Sequence, residues 1–247
     1  MSSTPLDSSL EILKQVSVAT LATALFRRGL RNQTIQDVRP VATQHGVASG
    51  HEQNMVGPAF TLRYIPARED RNQLEEFKNP DHPQRQAIEQ CPSGHVLVMD
   101  SRKDARAASA GDILITRLMM RGGAGVVTDG GFRDSYRIAT LDIPAYHQRP
   151  SSPTNLTLHE AFDINVPIGC GDVAVFPGDF VVGDQDSVII IPAAIIDEIA
   201  KEAYEMTVFE DFVQEQVQQG KTIIGLYPCT LEENKQAFEA WRKQHNR

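Results

Sequence analysis

The chain has 247 residues, 41% hydrophobic and 23% charged, which allows one sizeable globular core. Its formal net charge is −8, and its one basic cluster, Arg63 to Arg71, is diluted by Glu69 and Asp70, so nucleic acid is disfavoured as a partner. Cys91, Cys170 and Cys229 form no CxxC pair, and neither the polar start nor the apolar run Val188–Ile191 suits a signal peptide or a membrane span; a reducing, cytoplasmic setting is expected, with no membrane partner.

In chain order, Ser17 predicts the cap of a helix to about Arg28, with Val18, Leu21, Ala22 and Leu25 on one face and Gly29 as the stop. Val56–Tyr64 is rich in strand formers, and Pro66–Asp81 is polar and irregular, a surface insertion. Gln84–Gln90 predicts a short helix, and His95–Asp100 a buried strand ending in a carboxylate. Gly111 opens a helix to about Arg121, closed by Gly122 and Gly123. Gly125–Asp129 and Pro144–His147 predict two further strands. Between Val166 and Ile191, short apolar runs separated by Pro, Gly and Asp predict antiparallel β structure with a turn at Asp184–Ser187. A long helix follows over Ala193–Gln219, stopped by Gly220, and residues 231–247 form a polar helix or tail. No repeat or low-complexity linker divides the chain. The expectation is a single α/β domain over residues 1–247.

The chemistry concentrates in GDILITRLMMRGGAGVVTDGGFRD, residues 111–134. At the helix start Gly111-Asp112-Ile113-Leu114, free amides and the positive end of the helix dipole can receive a carboxylate or phosphate, and glycine permits close approach. Asp112 can equally be an ordinary first-turn acid. Arg133 and Asp134 lie just past the C-terminal end of a buried strand, where α/β folds collect ligands. Arginine offers a planar fork to a carboxylate or enolate oxygen, and aspartate a hard oxygen ligand. By spacing alone the pair is also compatible with a surface turn and a capping aspartate.

The whole segment resembles the signature of the RraA-like family. That family includes the 4-hydroxy-4-methyl-2-oxoglutarate/4-carboxy-4-hydroxy-2-oxoadipate aldolases, which also decarboxylate oxaloacetate. It also includes the RraA proteins, which inhibit ribonuclease E without catalysis. The similarity runs from about Val16 to Leu226 and takes in Thr20-Leu21-Ala22-Thr23-Ala24-Leu25 and Val96–Asp100. It implies a swivelling β/β/α domain with N- and C-terminal helices, assembled as trimers or hexamers, and a small 2-oxo acid as substrate. Carried over residue by residue, it makes Arg133 the holder of the pyruvyl group and Asp134 the single direct protein ligand of Mg2+ or Mn2+. The amides of Gly111, Asp112, Ile113 and Leu114 would receive the substrate carboxylate, and Asp112 would reach a metal-bound water. Glu210, with Asp211 behind it, is the candidate for the acidic residue that a C-terminal helix lends to a neighbouring subunit's site.

Cleaving a carbon–carbon bond beside a 2-oxo acid leaves a pyruvate enolate, whose charge the metal and Arg133 would stabilise. Aldol cleavage also needs a base, served by ordered water between acids, whereas oxaloacetate decarboxylation does not. Residues 66–81 have no clear counterpart in the aldolases and could reshape the pocket. His147 and Arg149 follow a predicted strand and reach either substrate or solvent. Two other functions stay open: a regulatory binding protein that has lost catalysis, and a lyase or hydratase for sugar-derived 2-oxo acids. The seven histidines include no HxxxH pair for zinc; His45 and His51 are expected in a solvated loop. Cys170, flanked by glycines, suggests a tight turn, and Gly122-Gly123-Ala124-Gly125 is not a dinucleotide fingerprint.

Overall fold

The computed structural model describes residues 5–41 and 54–247; His45 and His51 lie outside the described residues. In chain order the elements are helix α1 (Pro5–Leu13), α2 (Val18–Arg27), strand β1 (Arg39–Pro40), β2 (Met55–Pro66), α3 (Pro83–Gln90), β3 (Val96–Asp100), β4 (Ala108–Ala110) and α4 (Asp112–Met120). There follow β5 (Gly125–Thr128), β6 (Gly131–Phe132), α5 (Ser135–Ile138), β7 (Ala145–His147), β8 (Arg149–Pro150), β9 (His159–Ile164), β10 (Ile168–Cys170) and β11 (Val173–Val175). The chain ends with β12 (Phe180–Gly183), β13 (Val188–Ile191), the long α6 (Ile196–Gln218) and α7 (Glu232–Gln244). The architecture is mixed α/β, as expected.

The main sheet runs β1-β7-β5-β3-β2-β12-β13, with β9 also paired to β2. Strands β2, β3, β5 and β7 are parallel, in registers such as Ala59 to Val96 and Val96 to Gly125. Their near-continuous apolar sequences (VLVM, GVVT) are what a strand covered on both faces requires. β12 and β13 form the expected antiparallel hairpin, closed at Asp184, whose Oδ1 accepts from the Asp186 and Ser187 amides. β2 is long enough to serve two sets of neighbours: its first half pairs with β12 and its second with β3 and β9.

The core has three principal parts. One face of the sheet packs Leu62, Tyr64, Leu97 and Met99, together with Phe132 of β6, against Ile115 and Leu118 of α4 and Ile88 of α3. The other buries Val98, Val127, Val181 and Ile190 beneath the β10–β11 hairpin. The third seats Leu21 and Leu25 of α2, and Ile199 and Ala203 of α6, on Val182, Ile189 and Ile191. The Ser17 cap is realised: its Oγ accepts from the Thr20 amide at 3.1 Å.

Some expectations need refining. The polar N-terminal stretch contains a helix, α1, because Leu13 is fully buried in the third cluster. Within residues 231–247 the chain forms helix α7, packed through Phe238 and Trp241 on Phe212 of α6. β9 is an additional strand, and the 66–81 segment carries a 3-10 turn at Leu74–Lys78. Among the described residues, no helix is long and apolar enough to cross a membrane.

Candidate active site

A second, small sheet orders the site. β4, β6 and β8 lie parallel, Ala108 opposite Gly131 and Gly131 opposite Arg149. This ladder brings the end of β4, from which α4 starts, beside the end of β6, from which Arg133 and Asp134 emerge. The Arg133 amide donates to the Ala110 carbonyl at 3.1 Å, locking the two chain segments together.

Gly111 caps α4 in extended backbone with no side-chain cap, so the helix start offers its amides outward. The Ile113 amide is partly occupied by its own neighbour: it donates to Asp112 Oδ1 at 2.9 Å. The other Asp112 oxygen faces Arg137 at 3.4 Å. Glycine is required at 111 by close packing, since a Cβ there would meet Arg133 Cγ at 2.9 Å and Asp134 Oδ2 at 3.2 Å. Arg133 Nε donates to Asp134 Oδ2 at 3.2 Å, leaving Oδ1 and the rest of the guanidinium fork for other partners. Asp134 adopts φ 54° and ψ 31°, a left-handed conformation that costs a non-glycine residue about 1 kcal/mol or more. Its carbonyl accepts from the Arg137 (2.9 Å) and Ile138 (3.1 Å) amides, which fixes it at the start of α5.

These residues share one cleft of about 280 Å3, whose walls include Gly111, Asp112, Ile113, Leu114, Arg133 and Asp134. That size suits a ligand of few heavy atoms. Phe77, Gln84, Arg85, Ala108, Ala110, Thr154 and Asn155 complete the lining and were not singled out from sequence. Phe77 belongs to the 66–81 segment, so that segment does shape the pocket. The signal for Arg85 was faint, since one arginine on the polar helix α3 reads as a solvated face.

Other candidates fall elsewhere. Glu210 on α6 does not line this cleft; it accepts from Thr20 Oγ1 at 2.9 Å and Tyr227 OH at 3.4 Å in its own chain. Asp211 pairs with Arg247 at 2.5 Å. His147 is buried rather than on a loop, stacked on Phe132 with ring centroids 5.6 Å apart, and burial lowers its pKa to about 4. Neither His147 nor Arg149 lines the cleft. Cys170 is fully buried before the turn at Gly171 and Asp172, and burial pushes its thiol far up, which leaves it inert.

Asp129 is the buried residue the sequence did not explain. Its carboxylate accepts from the amides of Ser101 (2.6 Å), Lys103 (3.0 Å) and Gly171 (3.0 Å), tying the ends of β3 and β5 to the β10–β11 hairpin. Burial pushes its carboxyl up to about 6, against these three donors, which favour the charged form. Gly130, next along, must be glycine because a Cβ would lie 2.7 Å from both Ser101 Cβ and Ser109 Oγ. Asp129 therefore holds the floor from which Arg133 and Asp134 rise.

The family model described as RraA-like, Aldolase/RraA, matches residues 18–190. The chain belongs to this family. Over 117 residues it is 33% identical to a Halalkalibacterium halodurans protein provisionally named 4-hydroxy-4-methyl-2-oxoglutarate aldolase, covering 47% of this chain and 55% of that protein. The RraA-like chain thus spans about half the length of that curated relative. Among solved structures it resembles Streptomyces coelicolor RraAS2, described as an unusual member of the RNase ES inhibitor RraA family: TM-score 0.72, 26% identity, 84% of this chain and 96% of that one. An uncharacterized Pseudomonas syringae protein shares the fold at TM-score 0.73 and 21% identity, over 89% and 96% of the two chains.

Proposed function

We propose that this RraA-like chain is a metal-assisted carbon–carbon lyase for small 2-oxo acids, of the 4-hydroxy-4-methyl-2-oxoglutarate aldolase and oxaloacetate decarboxylase type. The observation that carries the reading is the convergence of an uncapped helix start, the Arg133 fork and the Asp134 carboxylate in one small cleft. The donor set suits a hard divalent ion. Among the described residues no three His, Cys, Asp or Glu side chains gather, so Asp134 would hold Mg2+ or Mn2+ through one carboxylate, with water and substrate oxygens completing the shell. Such an ion, when bound, supplies Lewis-acid stabilisation of charge on the 2-oxo oxygen.

The chain's own residues then divide the work. The amides at residues 111–114 bind the C1 carboxylate through the positive end of α4. Arg133 orients the 2-oxo group with its planar fork and stabilises the enolate charge that develops as the bond breaks. Asp112 orients water at the helix start. In aldol cleavage a base must also remove the proton of the tertiary alcohol; decarboxylation releases CO2 without that step.

We place the base on a neighbouring copy, in a homotrimer or hexamer. Two exposed apolar regions favour such assembly: Ile113, Met120 and Tyr136 on α4 and α5, and Ile223, Ile224 and Tyr227 after α6. Glu210, hydrogen-bonded to Tyr227, sits beside the second region and is the acid it would carry across. Light scattering should give a trimer or its multiple, and Glu210→Gln should slow aldol cleavage more than decarboxylation. A fully active monomer would contradict the assembly.

The decisive assay is pyruvate release from 4-hydroxy-4-methyl-2-oxoglutarate and from oxaloacetate, with Mg2+ and with chelator. Turnover should vanish with chelator, return with Mg2+ or Mn2+, and be absent in Asp134→Ala. No pyruvate from either compound, or full turnover after metal stripping, would reject the reading. The similarity to RraAS2 favours a second reading, a non-catalytic regulatory protein, and inactivity on every 2-oxo acid would bring it forward.

A further inference from the structure

Where α3 lines the cleft it presents a cation that has no part in the chemistry described above. Arg85 lines the cleft, and its guanidinium lies 4.6 Å from the centroid of the Phe77 ring. Its Nη1 is buried without a hydrogen-bond partner, and among the described residues no carboxylate pairs with it. A buried guanidinium N–H left unsatisfied is costly, and a planar fork held on an aromatic face is pre-organised for an oxyanion.

Its position is fixed from below. Gln84, the residue before it, is buried and donates to the Ser109 carbonyl at 2.6 Å and to Tyr64 OH at 3.2 Å. These bonds tie the start of α3 to β4, the strand that leads into Gly111. Arg85 and the α4 helix start are thus referenced to the same strand. Phe77 reaches the cleft from the 66–81 segment with its ring against the guanidinium.

Charge supports the same conclusion. Two arginines, Arg85 and Arg133, and two aspartates, Asp112 and Asp134, line the cleft and offset one another. A divalent cation on Asp134 would leave two positive charges, which a dicarboxylate neutralises and a monocarboxylate does not.

We propose that Arg85, seated on Phe77, is a specificity residue that binds the carboxylate at the far end of a dicarboxylic 2-oxo acid. This rests on the proposed function: the C1 carboxylate occupies the helix start, and the second carboxylate meets the Arg85 guanidinium where it lines the cleft. The cleft accordingly selects 2-oxo acids with a second carboxylate over those with an alkyl end.

Titration calorimetry on the full chain in Mg2+ buffer tests this with two probes, pyruvate and 2-oxoglutarate. The wild type should bind 2-oxoglutarate more tightly. Arg85→Gln should weaken 2-oxoglutarate about tenfold while changing pyruvate by less than about twofold, and Arg85→Lys should fall between. Pyruvate binding also reports that the variant has folded. Pyruvate binding with no preference for 2-oxoglutarate, or equal weakening of both ligands by Arg85→Gln, would overturn the Arg85 role and leave the lyase reading standing. A wild type that binds neither probe would overturn both.

Discussion

Around β12 and β13, Val182, Ile189 and Ile191 are fully buried against Leu21 and Leu25, the α2 cap is closed by Ser17, and strand follows strand in unbroken antiparallel register. Around the cleft, α4 begins without a side-chain cap, Ile113 is 79% exposed, Asp134 is left-handed, and Arg85 keeps a buried N–H unpaired. The first region satisfies its groups internally; the second leaves hydrogen-bonding capacity for something else. That contrast separates stability from function, and mutations should divide accordingly.

The largest effect is expected in the closed region. Leu21→Ala removes a fully buried side chain between two helices and a sheet, and should cost about 4 kcal/mol in denaturant unfolding. Substrate KM should stay unchanged at temperatures where the variant is folded. Next comes Arg133→Ala, which should cost about 3 kcal/mol in transition-state stabilisation, comparable to loss of an oxyanion donor. Its side chain is 49% exposed, so the melting temperature should barely move. Arg133→Lys keeps the charge but not the fork and should retain partial activity. A large stability loss in Arg133→Ala, or a large KM change in Leu21→Ala, would break the division.

His147 offers a test beneath the cleft. Its pKa is lowered from 6.5 to about 4 by burial, so the unfolded chain binds a proton that the folded chain refuses. Its contribution to stability is present above about pH 6.5 and is lost as pH falls toward 4, by roughly 3 kcal/mol. His147→Gln should flatten that part of the stability-versus-pH curve; an unchanged slope would show that the ring titrates normally. The smallest effect is at the α2 cap, where Ser17→Ala should cost about 1 kcal/mol and leave turnover untouched.

Regular elements were legible in the sequence where one physical rule acted alone. Ser17 before an apolar 3.6-residue stripe gave α2, and Gly111-Asp112 before ILITRL gave α4. The run HVLVMD gave β3, and prolines, glycines and aspartates punctuated β10 to β13. Strands β4, β6 and β8 have two or three residues, too few for any period to show, although they align the site. β9 was hidden because HEAFDI, with Phe162 47% exposed and acids at two positions, resembles a polar loop. α1 was hidden for the same reason, its burial resting largely on Leu13.

The site was half legible. Gly111–Leu114, Arg133 and Asp134 are contiguous in two short segments and do come together in one cleft. Phe77, Arg85 and Asn155 reach it from three other places, and only the tertiary fold reveals that. Asp129 could be seen as a strand-end carboxylate, but its three backbone donors come from residues far along the chain. The acid that would complete the chemistry from a neighbour depends on a subunit interface that one chain does not contain.

In the proposed mechanism Arg133 and Asp134 together hold an enolate-like ligand through a divalent ion. Oxalate, a planar mimic of the pyruvate enolate, reports this directly without turnover. Calorimetric titration of oxalate into wild type, Arg133→Ala and Asp134→Ala, each with Mg2+ and with chelator, should show tight binding only for the wild type with Mg2+. Equal oxalate binding in all three proteins, or binding that ignores chelator, would contradict the account.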